Sequence, residues 1–455
     1  MGDLWRLIPE YLVLAGAIIV LFVDVMRLDQ RWAARIGALC AATAAISAAV
    51  IGPGGELFGG MMVLDETSVF ARTVVAALAA VWLLWVSGRG VGSERPSEAV
   101  SLALLSTLGG MLVISARDLA VLFISLELST MPAYVLMGYR RADERGLEGA
   151  LKYFLLSMLT SLMLLYGLSF VYGLAGTTAY SGLALGPATD LRSLAFVLVL
   201  VGLFAKLSAA PFHYWTPDAY AGAPASSVAF VSTVPKVAGT VALVELVSAL
   251  APGVPGAQTI LIVAAVLSML VGNFAAYPQT DLRRLMAYSG VAHTGYILAA
   301  LSAGEAGSAP AVFYAMAYAV PSMALVLMAA EEGTALDDLA GLAARRPALA
   351  WAAVAWLVSL VGIPPLVGFF GKLYAFTAVI GADLAWLAIV AVMMSVVSGG
   401  YYFRVLAALF FKERMDATAA THSRAAALAF GLALVAVVGL GIFSAPVLEF
   451  LGVTL

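Results

Sequence analysis

Four lysines lie inside long apolar runs of the sequence, where a charge is costly: Lys152, Lys206, Lys236 and Lys372. A lysine at the centre of a membrane costs at least about 2.5–3.5 kcal/mol on insertion scales. Lysine can release its proton in such surroundings, whereas arginine stays charged. Every arginine of the chain can be placed in a loop or near the end of a run. Buried lysines without buried arginines therefore predict groups that gain and lose protons reversibly.

The alternative is that each lysine extends its amino group to the membrane surface along its flexible stem. This interpretation is strongest for Lys152, which lies near the start of its run, and weaker for Lys206. It is weakest for Lys236 and Lys372, because their runs extend many residues in both directions. We therefore predict Lys206, Lys236 and Lys372 as relay sites and Lys152 as an auxiliary site.

Carboxylates are sorted by their position in the apolar runs. Glu127 lies in the middle of VLFISLELSTMPAYVLMG. A buried carboxylate and a buried ammonium stabilise each other's charge, so Glu127 is predicted to pair with a lysine. Glu245, in TVALVELVSAL, lies nearer the end of a run, and either a structural or a functional role fits it. Asp24 lies near the end of the first run, where we expect a solvated residue at the membrane interface.

Two of the three histidines lie at membrane depth and are predicted as auxiliary relay groups. They are His213, in KLSAAPFHYWTPDAY, and His293, in MAYSGVAHTGYIL. Histidine transfers protons near neutral pH, and a merely hydrogen-bonded histidine is the alternative. The third, His422, falls in a loop. The sequence predicts no strands, no Cys/His metal spacing and no glycine-rich phosphate loop. We therefore expect neither a cofactor nor a metal in this chain.

Composition excludes a soluble enzyme. The chain has 455 residues, of which 63% are hydrophobic and 11% charged, and its mean hydropathy is +1.01. Soluble domains carry about 25% charged residues. The net charge of -3 argues against a nucleic-acid partner. The single cysteine, Cys40, can form neither an internal disulfide nor a metal cluster and is interpreted as packing.

The elements that must position these groups are apolar runs of membrane-spanning length. They predict an all-α integral membrane protein with about fourteen transmembrane helices, each able to cross about 30 Å of hydrocarbon. The predicted spans are 8–26, 33–51, 68–87, 98–116, 119–139, 150–173, 192–212, 224–250, 257–277, 284–302, 310–330, 348–378, 383–411 and 425–448. The first run lacks a basic leader and a clear cleavage site, so it is predicted to be retained.

Basic residues indicate the orientation, because cytoplasmic loops are enriched in lysine and arginine. About sixteen fall in the odd-numbered connections. They are Arg27, Arg31, Arg35, Arg89, Arg95, Arg140, Arg141, Arg145, Arg283, Arg284, Arg345, Arg346, Arg404, Lys412, Arg414 and Arg424. The even-numbered connections hold only Arg72, Arg117 and Arg192. We therefore predict cytoplasmic odd loops and both termini on the outer side.

Two segments combine a lysine with a helix breaker. The first is FAKLSAAPFHYWTP, with Lys206 and Pro211, and the second is LVGIPPLVGFFGKLYAF, with Pro365 and Lys372. Each lies in the fourth helix of a five-helix block, 98–250 and 257–411. Interrupted helices at matching positions indicate a transporter built from inverted repeats. An ordinary proline kink is the alternative. The predicted organisation is three helices in 1–97, the two repeats, and a loop with a final helix in 412–455.

Six ordered motifs between about residues 95 and 415 carry a resemblance to a known family. They are ISLELSTMPAYVLMGY, EGALKYFLLSMLTS, FAKLSAAPFHYWTPDAYAGAP, VPKVAG, DLRRLMAYSGVAHTGYIL and GIPPLVGFFGKLYAF. The chain resembles the antiporter-like membrane subunits of bacterial NADH-quinone oxidoreductase (complex I), which are related to Mrp antiporters. Subunits L and M usually carry tryptophan just before the glutamate of the fifth helix. Leu126 stands there instead, which favours subunit N.

The resemblance implies two half-channels joined by a hydrated polar axis. It assigns Glu127 and Lys206 as a charge-modulating pair, Lys236 as the central relay, Lys372 as the terminal site and Lys152 to a weaker role. It also implies a translocase subunit in the bacterial cell inner membrane, next to subunits M, K and J. NADH, FMN, iron–sulfur clusters and quinone would bind other subunits, so this chain would perform no redox chemistry.

Three other functions share the same features. A multisubunit Mrp-type cation/proton antiporter uses the same repeat. A membrane-bound hydrogenase or a ferredoxin-linked dehydrogenase can carry the same kind of subunit. A scaffold without transport is the remaining alternative, which four lysines inside apolar runs disfavour.

Overall fold

The computed structural model describes residues 4–26, 29, 31–90, 96–139, 144–183, 190–412 and 423–452, apart from the side chain of residue 145. Several basic residues that the sequence predicts to lie in loops are outside this described part. They are Arg27, Arg95, Arg140, Arg141, Arg414 and His422. The described residues form α-helices almost throughout, as the composition predicts.

The helices follow one another along the chain with short connections. The first ten are α1 (Ile8–Val25), α2 (Arg31–Ile51), α3 (Glu66–Arg89), α4 (Pro96–Ser115), α5 (Leu119–Met137), α6 (Glu144–Ala175), α7 (Asp190–Leu207), α8 (Trp215–Gly222), α9 (Ala225–Val231) and α10 (Val234–Leu250). The others are α11 (Ala257–Ala276), α12 (Leu282–Leu301), α13 (Glu305–Glu332), α14 (Leu342–Arg345), α15 (Pro347–Val361), α16 (Val367–Gly381), α17 (Ala385–Phe411), α18 (Arg424–Ile442) and α19 (Ser444–Phe450).

A short hairpin corrects the expectation that no strands occur. Strands β1 (Gly55–Leu57) and β2 (Met62–Leu64) pair antiparallel between α2 and α3, with Gly55 opposite Leu64. Three-residue strands are too short to produce a recognisable alternation of apolar and polar residues. The hairpin lies in the glycine-rich connection and leaves the helical architecture unchanged.

Eleven stretches of the described chain are helical, long and apolar enough to cross a membrane. The most buried is α13, whose apolar window is enclosed completely, and it packs against α3, α9, α10, α12, α15, α16 and α18. By contrast, α1, α6 and α17 bury only 39% of their apolar windows. Exposed apolar faces of this size fit contact with lipid, while α13 forms the centre of the bundle.

Helix α7 ends earlier than the sequence predicted. The predicted span 192–212 stops at Leu207, and residues 208–214 separate it from α8. Pro211 lacks a backbone donor, so the helix cannot continue regularly through it. The predicted second interruption also occurs, because residues 362–366, which include Pro364 and Pro365, separate α15 from α16.

A third interruption was not predicted. The apolar run 224–250 predicts one helix, but α9 ends at Val231 and α10 begins at Val234. Pro235 stands in the first turn of α10, where its missing donor does no harm. The hydroxyl of Thr233 donates to the carbonyls of Ala229 and Phe230 at 2.8 and 3.1 Å. These local bonds satisfy backbone oxygens at the break, which Pro235 and Lys236 closely follow in the sequence.

Candidate functional site

Glu127 and Lys206 form an enclosed ion pair between α5 and α7. The ammonium nitrogen of Lys206 lies 3.1 Å from Oε1 of Glu127, and the two side chains are 4% and 11% exposed. The same ammonium donates to Oγ1 of Thr130 at 3.1 Å and to Oη of Tyr134 at 3.0 Å. Ser161, on α6, donates to Oε1 of Glu127 at 2.7 Å. Lysine and glutamate thus hold each other's charge inside the helix bundle.

The spacing of residues on α5 explains how three groups reach one ammonium. Glu127, Thr130 and Tyr134 are separated by three and four residues, so they lie on one face of the helix. Lys206 stands at the carboxyl end of α7, just before the break. A cation is favoured there by the unpaired carbonyls of the last turn. Oε2 of Glu127 is buried and has no hydrogen-bond partner within the described chain.

Lys236 lies in the first turn of α10, immediately after the break that the sequence did not predict. The residue is 7% exposed. Its ammonium donates to the carbonyl oxygen of Gly290 at 3.0 Å and lies 5.5 Å from the ring centre of Tyr318. Within the described chain, the ammonium of Lys236 therefore contacts a neutral oxygen and an aromatic face.

Lys372 is held by oxygens that the second helix break exposes. Its ammonium donates to the carbonyls of Leu360 and Val361 at 2.9 and 2.8 Å and to Oγ of Ser395 at 2.7 Å. The last carbonyls of a helix have no intrahelical partner, and here they belong to α15. The break that Pro364 and Pro365 impose therefore builds the site of Lys372.

His293 lies on α12 and is 2% exposed. Its Nδ1 lies 2.8 Å from Oη of Tyr314, and its Nε2 lies 3.2 Å from Oη of Tyr402. His293 and Lys372 line one gap, together with Tyr314 and Tyr318, that admits no water-sized sphere. An imidazole with a partner on both nitrogens can accept a proton at one and release it at the other.

The remaining predicted residues occupy more peripheral positions. The side chain of Lys152 is 44% exposed and pairs with Glu148 at 2.7 Å and Asp218 at 3.4 Å. His213 lies half-buried in the break after α7, with an unpartnered Nδ1 within the described chain. Glu245 pairs with Arg117 at 3.0 Å.

Asp24 accepts a hydrogen bond from the hydroxyl of Ser97 at 3.0 Å. Within the described residues, no group of three or more His, Cys, Asp or Glu side chains could hold a metal ion.

Several residues that contact the predicted site residues were not predicted from the sequence. Thr130, Tyr134 and Ser161 surround the ion pair, and Tyr314 and Tyr402 contact His293. Thr130 and Tyr134 could have been found, because they share the helical face of Glu127. Ser161, Tyr314 and Tyr402 come from other helices, and no local pattern marks them. The site combines one charged pair with two lysines on neutral acceptors, an arrangement that can hold and release protons.

The fold and site define a polytopic membrane protein with protonatable groups enclosed among its helices. The family profile described as "NADH:quinone oxidoreductase/Mrp antiporter, TM" matches residues 116–398. NADH-quinone oxidoreductase subunit N of Erythrobacter litoralis is 38% identical, with 97% of this chain and 95% of that protein covered. Subunit N 1 of Rhizobium meliloti is also 38% identical, with 96% and 94% covered.

Solved structures agree with these relatives. A chain of respiratory complex I from Thermus thermophilus is 31% identical, with a TM-score of 0.85 and coverage of 97% of this chain and 98% of that chain. A chain of the Mrp complex from Dietzia sp. is 22% identical, with a TM-score of 0.83 over 99% and 96% of the two chains, and shares the fold. This chain belongs to the antiporter-like membrane-subunit family of NADH-quinone oxidoreductase, among its N subunits. The resemblance inferred from the motifs is thereby confirmed.

Proposed function

We propose that this chain conducts protons across the membrane as the N-type subunit of a bacterial NADH-quinone oxidoreductase. The observation that carries the proposal is the Glu127–Lys206 pair, which lies inside the bundle with a lysine–oxygen distance of 3.1 Å. A charge pair away from water costs solvation energy that apolar residues would avoid. In a family that couples a redox reaction to ion movement, such a pair can take part in proton transfer.

The proposed path runs from the charged pair through Lys236 and His293 to Lys372. The opposite charges of Glu127 and Lys206 stabilise each other. Lys236 and Lys372 meet backbone carbonyls and a serine hydroxyl, which solvate an ammonium without a compensating charge. Of these three lysines, only Lys206 has a carboxylate partner within the described chain. Lys152 and His213 serve as auxiliary groups at the ends of the path.

An inverted repeat of blocks 98–250 and 257–411 is part of the proposal. Asp118 and Asp281 cap the second helices of the two blocks, α5 and α12. In each block the amide of the next residue donates to a threonine carbonyl beyond the third helix. These bonds are Leu119 to Thr178 at 2.9 Å and Leu282 to Thr334 at 2.7 Å.

A glycine stands nine residues before each capping aspartate, Gly109 on α4 and Gly272 on α11. A Cβ atom added at either would lie 2.3 Å from a backbone nitrogen of the following helix, that of Ser129 or Ala292. Only glycine permits this approach, which recurs at the same place in both blocks. Capping, loop pairing and helix contact thus repeat together, and they support a common origin of the blocks.

The proposal includes fourteen transmembrane helices. Three further segments add to the eleven long apolar spans. Two are α7 and α12, and the third combines the shorter apolar helices α15 and α16 across their break. An even number places both termini on one side. The bias of basic residues toward the odd connections assigns that side to the exterior of the bacterial inner membrane.

The proposed partners are subunit M and the small subunits K and J. NADH, FMN, the iron–sulfur clusters and quinone bind elsewhere in the complex, so this chain moves protons without electron transfer. Substitution of Lys372 tests whether this chain moves protons without taking part in electron transfer. In inside-out vesicles, Lys372→Ala should lower proton pumping in complexes that assemble normally on a native gel. Direct oxidation of NADH by a soluble acceptor should stay at the wild-type rate. Unchanged pumping would remove Lys372 from the path.

A further inference from the structure

A row of polar side chains extends from His293 toward α17 and α11, away from the relay lysines. Oη of Tyr402, on α17, lies 3.2 Å from Nε2 of His293 and 2.5 Å from Oγ of Ser289. The ring of Tyr402 lies 4.4 Å from that of Tyr401, whose hydroxyl donates to Oδ1 of Asn273 at 3.1 Å. All four residues of this set, which is called the hydroxyl branch below, are 0% exposed: Ser289, Tyr401, Tyr402 and Asn273.

The branch approaches one membrane surface in steps. At about 1.5 Å per residue, His293 lies about 16 Å from the start of α12, and Ser289 about 10 Å from it. Asn273 lies only about 5 Å from the end of α11 by the same measure. The connection between α11 and α12 contacts α17 here, because Arg404 donates to the carbonyl of Gln279 at 3.4 Å.

The surface reached is the one predicted to be cytoplasmic. It carries Arg283, Arg284, Arg404 and Lys412, which belong to the odd connections of the chain. Tyr277, at the end of α11, is 37% exposed, and its ring lies 5.8 Å from that of Tyr401. The branch therefore begins beside an exposed residue and ends at a histidine between Lys236 and Lys372.

We propose that the hydroxyls of Tyr401, Tyr402 and Ser289, with Asn273 orienting the hydroxyl of Tyr401, form a second proton uptake route, which delivers protons from the cytoplasmic surface to His293. This rests on the proposed proton conduction through Lys372. A hydroxyl both donates and accepts, so a row of hydroxyls can pass a proton by successive exchange of hydrogen bonds. His293 receives the proton at Nε2 and releases one from Nδ1 toward Tyr314. The second block thereby receives protons without passage through Glu127.

The test compares two phenylalanine variants in the assembled complex. Tyr401→Phe removes the hydroxyl that contacts Asn273 and leaves the contacts of His293 in place. Tyr374→Phe is the matched control, since its hydroxyl is buried at 3.1 Å from Oγ of Ser444, away from the branch. We expect Tyr401→Phe to slow proton transfer along the branch about fivefold, the factor that corresponds to about 1 kcal/mol. Total pumping should fall by a smaller factor, because the route through Glu127 remains. Tyr374→Phe should pump at the wild-type rate.

The double variant Glu127→Ala/Tyr401→Phe distinguishes a protein with two parallel proton uptake routes from one with a single route. With two routes, each single variant keeps the other route, so the double variant should lose pumping by more than the product of the single effects. With a single route through Glu127, the double variant would equal Glu127→Ala, and the proposal would be overturned. The solvent deuterium isotope effect on pumping should also rise in Tyr401→Phe, which a purely structural role would not produce.

The conservative pair at Ser289 gives an independent check. Ser289→Thr keeps the hydroxyl and should pump faster than Ser289→Ala, whereas equal rates would exclude proton passage through this side chain. Lys372→Ala, measured in parallel, separates the two proposals. Loss of pumping in Lys372→Ala with full pumping in Tyr401→Phe would refute the branch alone. Full pumping in both would refute the relay itself.

Discussion

Replacing Glu127 with glutamine removes one negative charge and keeps the shape of the side chain. In the wild-type chain the carboxylate lies 3.1 Å from the ammonium of Lys206. Two unit charges at this distance attract each other by about 5 kcal/mol at an effective dielectric constant of about 20. Removal of one member of a buried ion pair costs about 3–5 kcal/mol, because the other charge stays without a partner.

This cost falls on the ammonium of Lys206, which loses its only carboxylate partner within the described chain. Thr130 and Tyr134 still contact the amine, which limits the loss. We therefore expect Glu127→Gln to impair proton pumping strongly and, through coupling, to slow quinone reduction. Glu127→Asp should be milder, since the charge remains with a shorter reach.

The assay is NADH-driven pumping and quinone reduction in inside-out vesicles, with assembly checked on a native gel. Glu245→Gln is the control, because it removes another carboxylate while Arg117 retains Asp65 at 2.7 Å. It should pump at close to the wild-type rate. Wild-type pumping by a fully assembled Glu127→Gln complex would show that the pair is structural and would refute the proposed charge coupling.

Three further variants test other parts of the site. Lys372→Arg should fail to restore the pumping lost in Lys372→Ala, because arginine does not release its proton; restoration would mean that only the charge matters. Ser395→Ala removes one of three hydrogen bonds to Lys372. It should slow pumping at least about tenfold, because a hydrogen bond to a charged group contributes about 1.5–3 kcal/mol; an unchanged rate would show that the two carbonyls suffice. Glu10→Gln leaves the 1% exposed Arg72 without its carboxylate and should lower stability by about 3–5 kcal/mol. Thermal unfolding followed by native gel should detect this loss of stability, while each assembled complex pumps at the normal rate. Reduced pumping per assembled complex would place the Glu10–Arg72 pair on the proton path.

The sequence identified the charged groups because burial and hydropathy are linked. A lysine in the middle of a long apolar run must lie inside the protein or leave the membrane, and Lys206, Lys236 and Lys372 all lie inside. Lys152, near the start of its helix, remains 44% exposed, in agreement with the alternative of an extended side chain. Position within a run therefore predicts burial well.

The acceptors of Lys236 and Lys372 could not be predicted in the same way. Gly290, Leu360 and Val361 contribute only backbone oxygens, and any residue type would provide the same group. The carbonyls of Leu360 and Val361 are free because α15 ends at Val361, before Pro364 and Pro365. Gly290 lies inside α12, and only packing brings its carbonyl to Lys236. The tyrosines around His293 come from α13 and α17, and their meeting depends on packing rather than on spacing.

A proton path through a membrane needs lysines that can both take up and release a proton. A carboxylate beside every lysine would hold each ammonium firmly and oppose release of its proton. An apolar environment alone would keep the lysine neutral and oppose uptake. Carbonyls at a broken helix end provide an intermediate environment, since they solvate an ammonium but carry no net charge. Among the three relay lysines, Lys206 pairs with a carboxylate, whereas Lys372 meets carbonyls at the end of α15 and Lys236 meets the carbonyl of Gly290 inside α12. Protonation of Lys236 and Lys372 can therefore respond to a change in charge at the Glu127 pair.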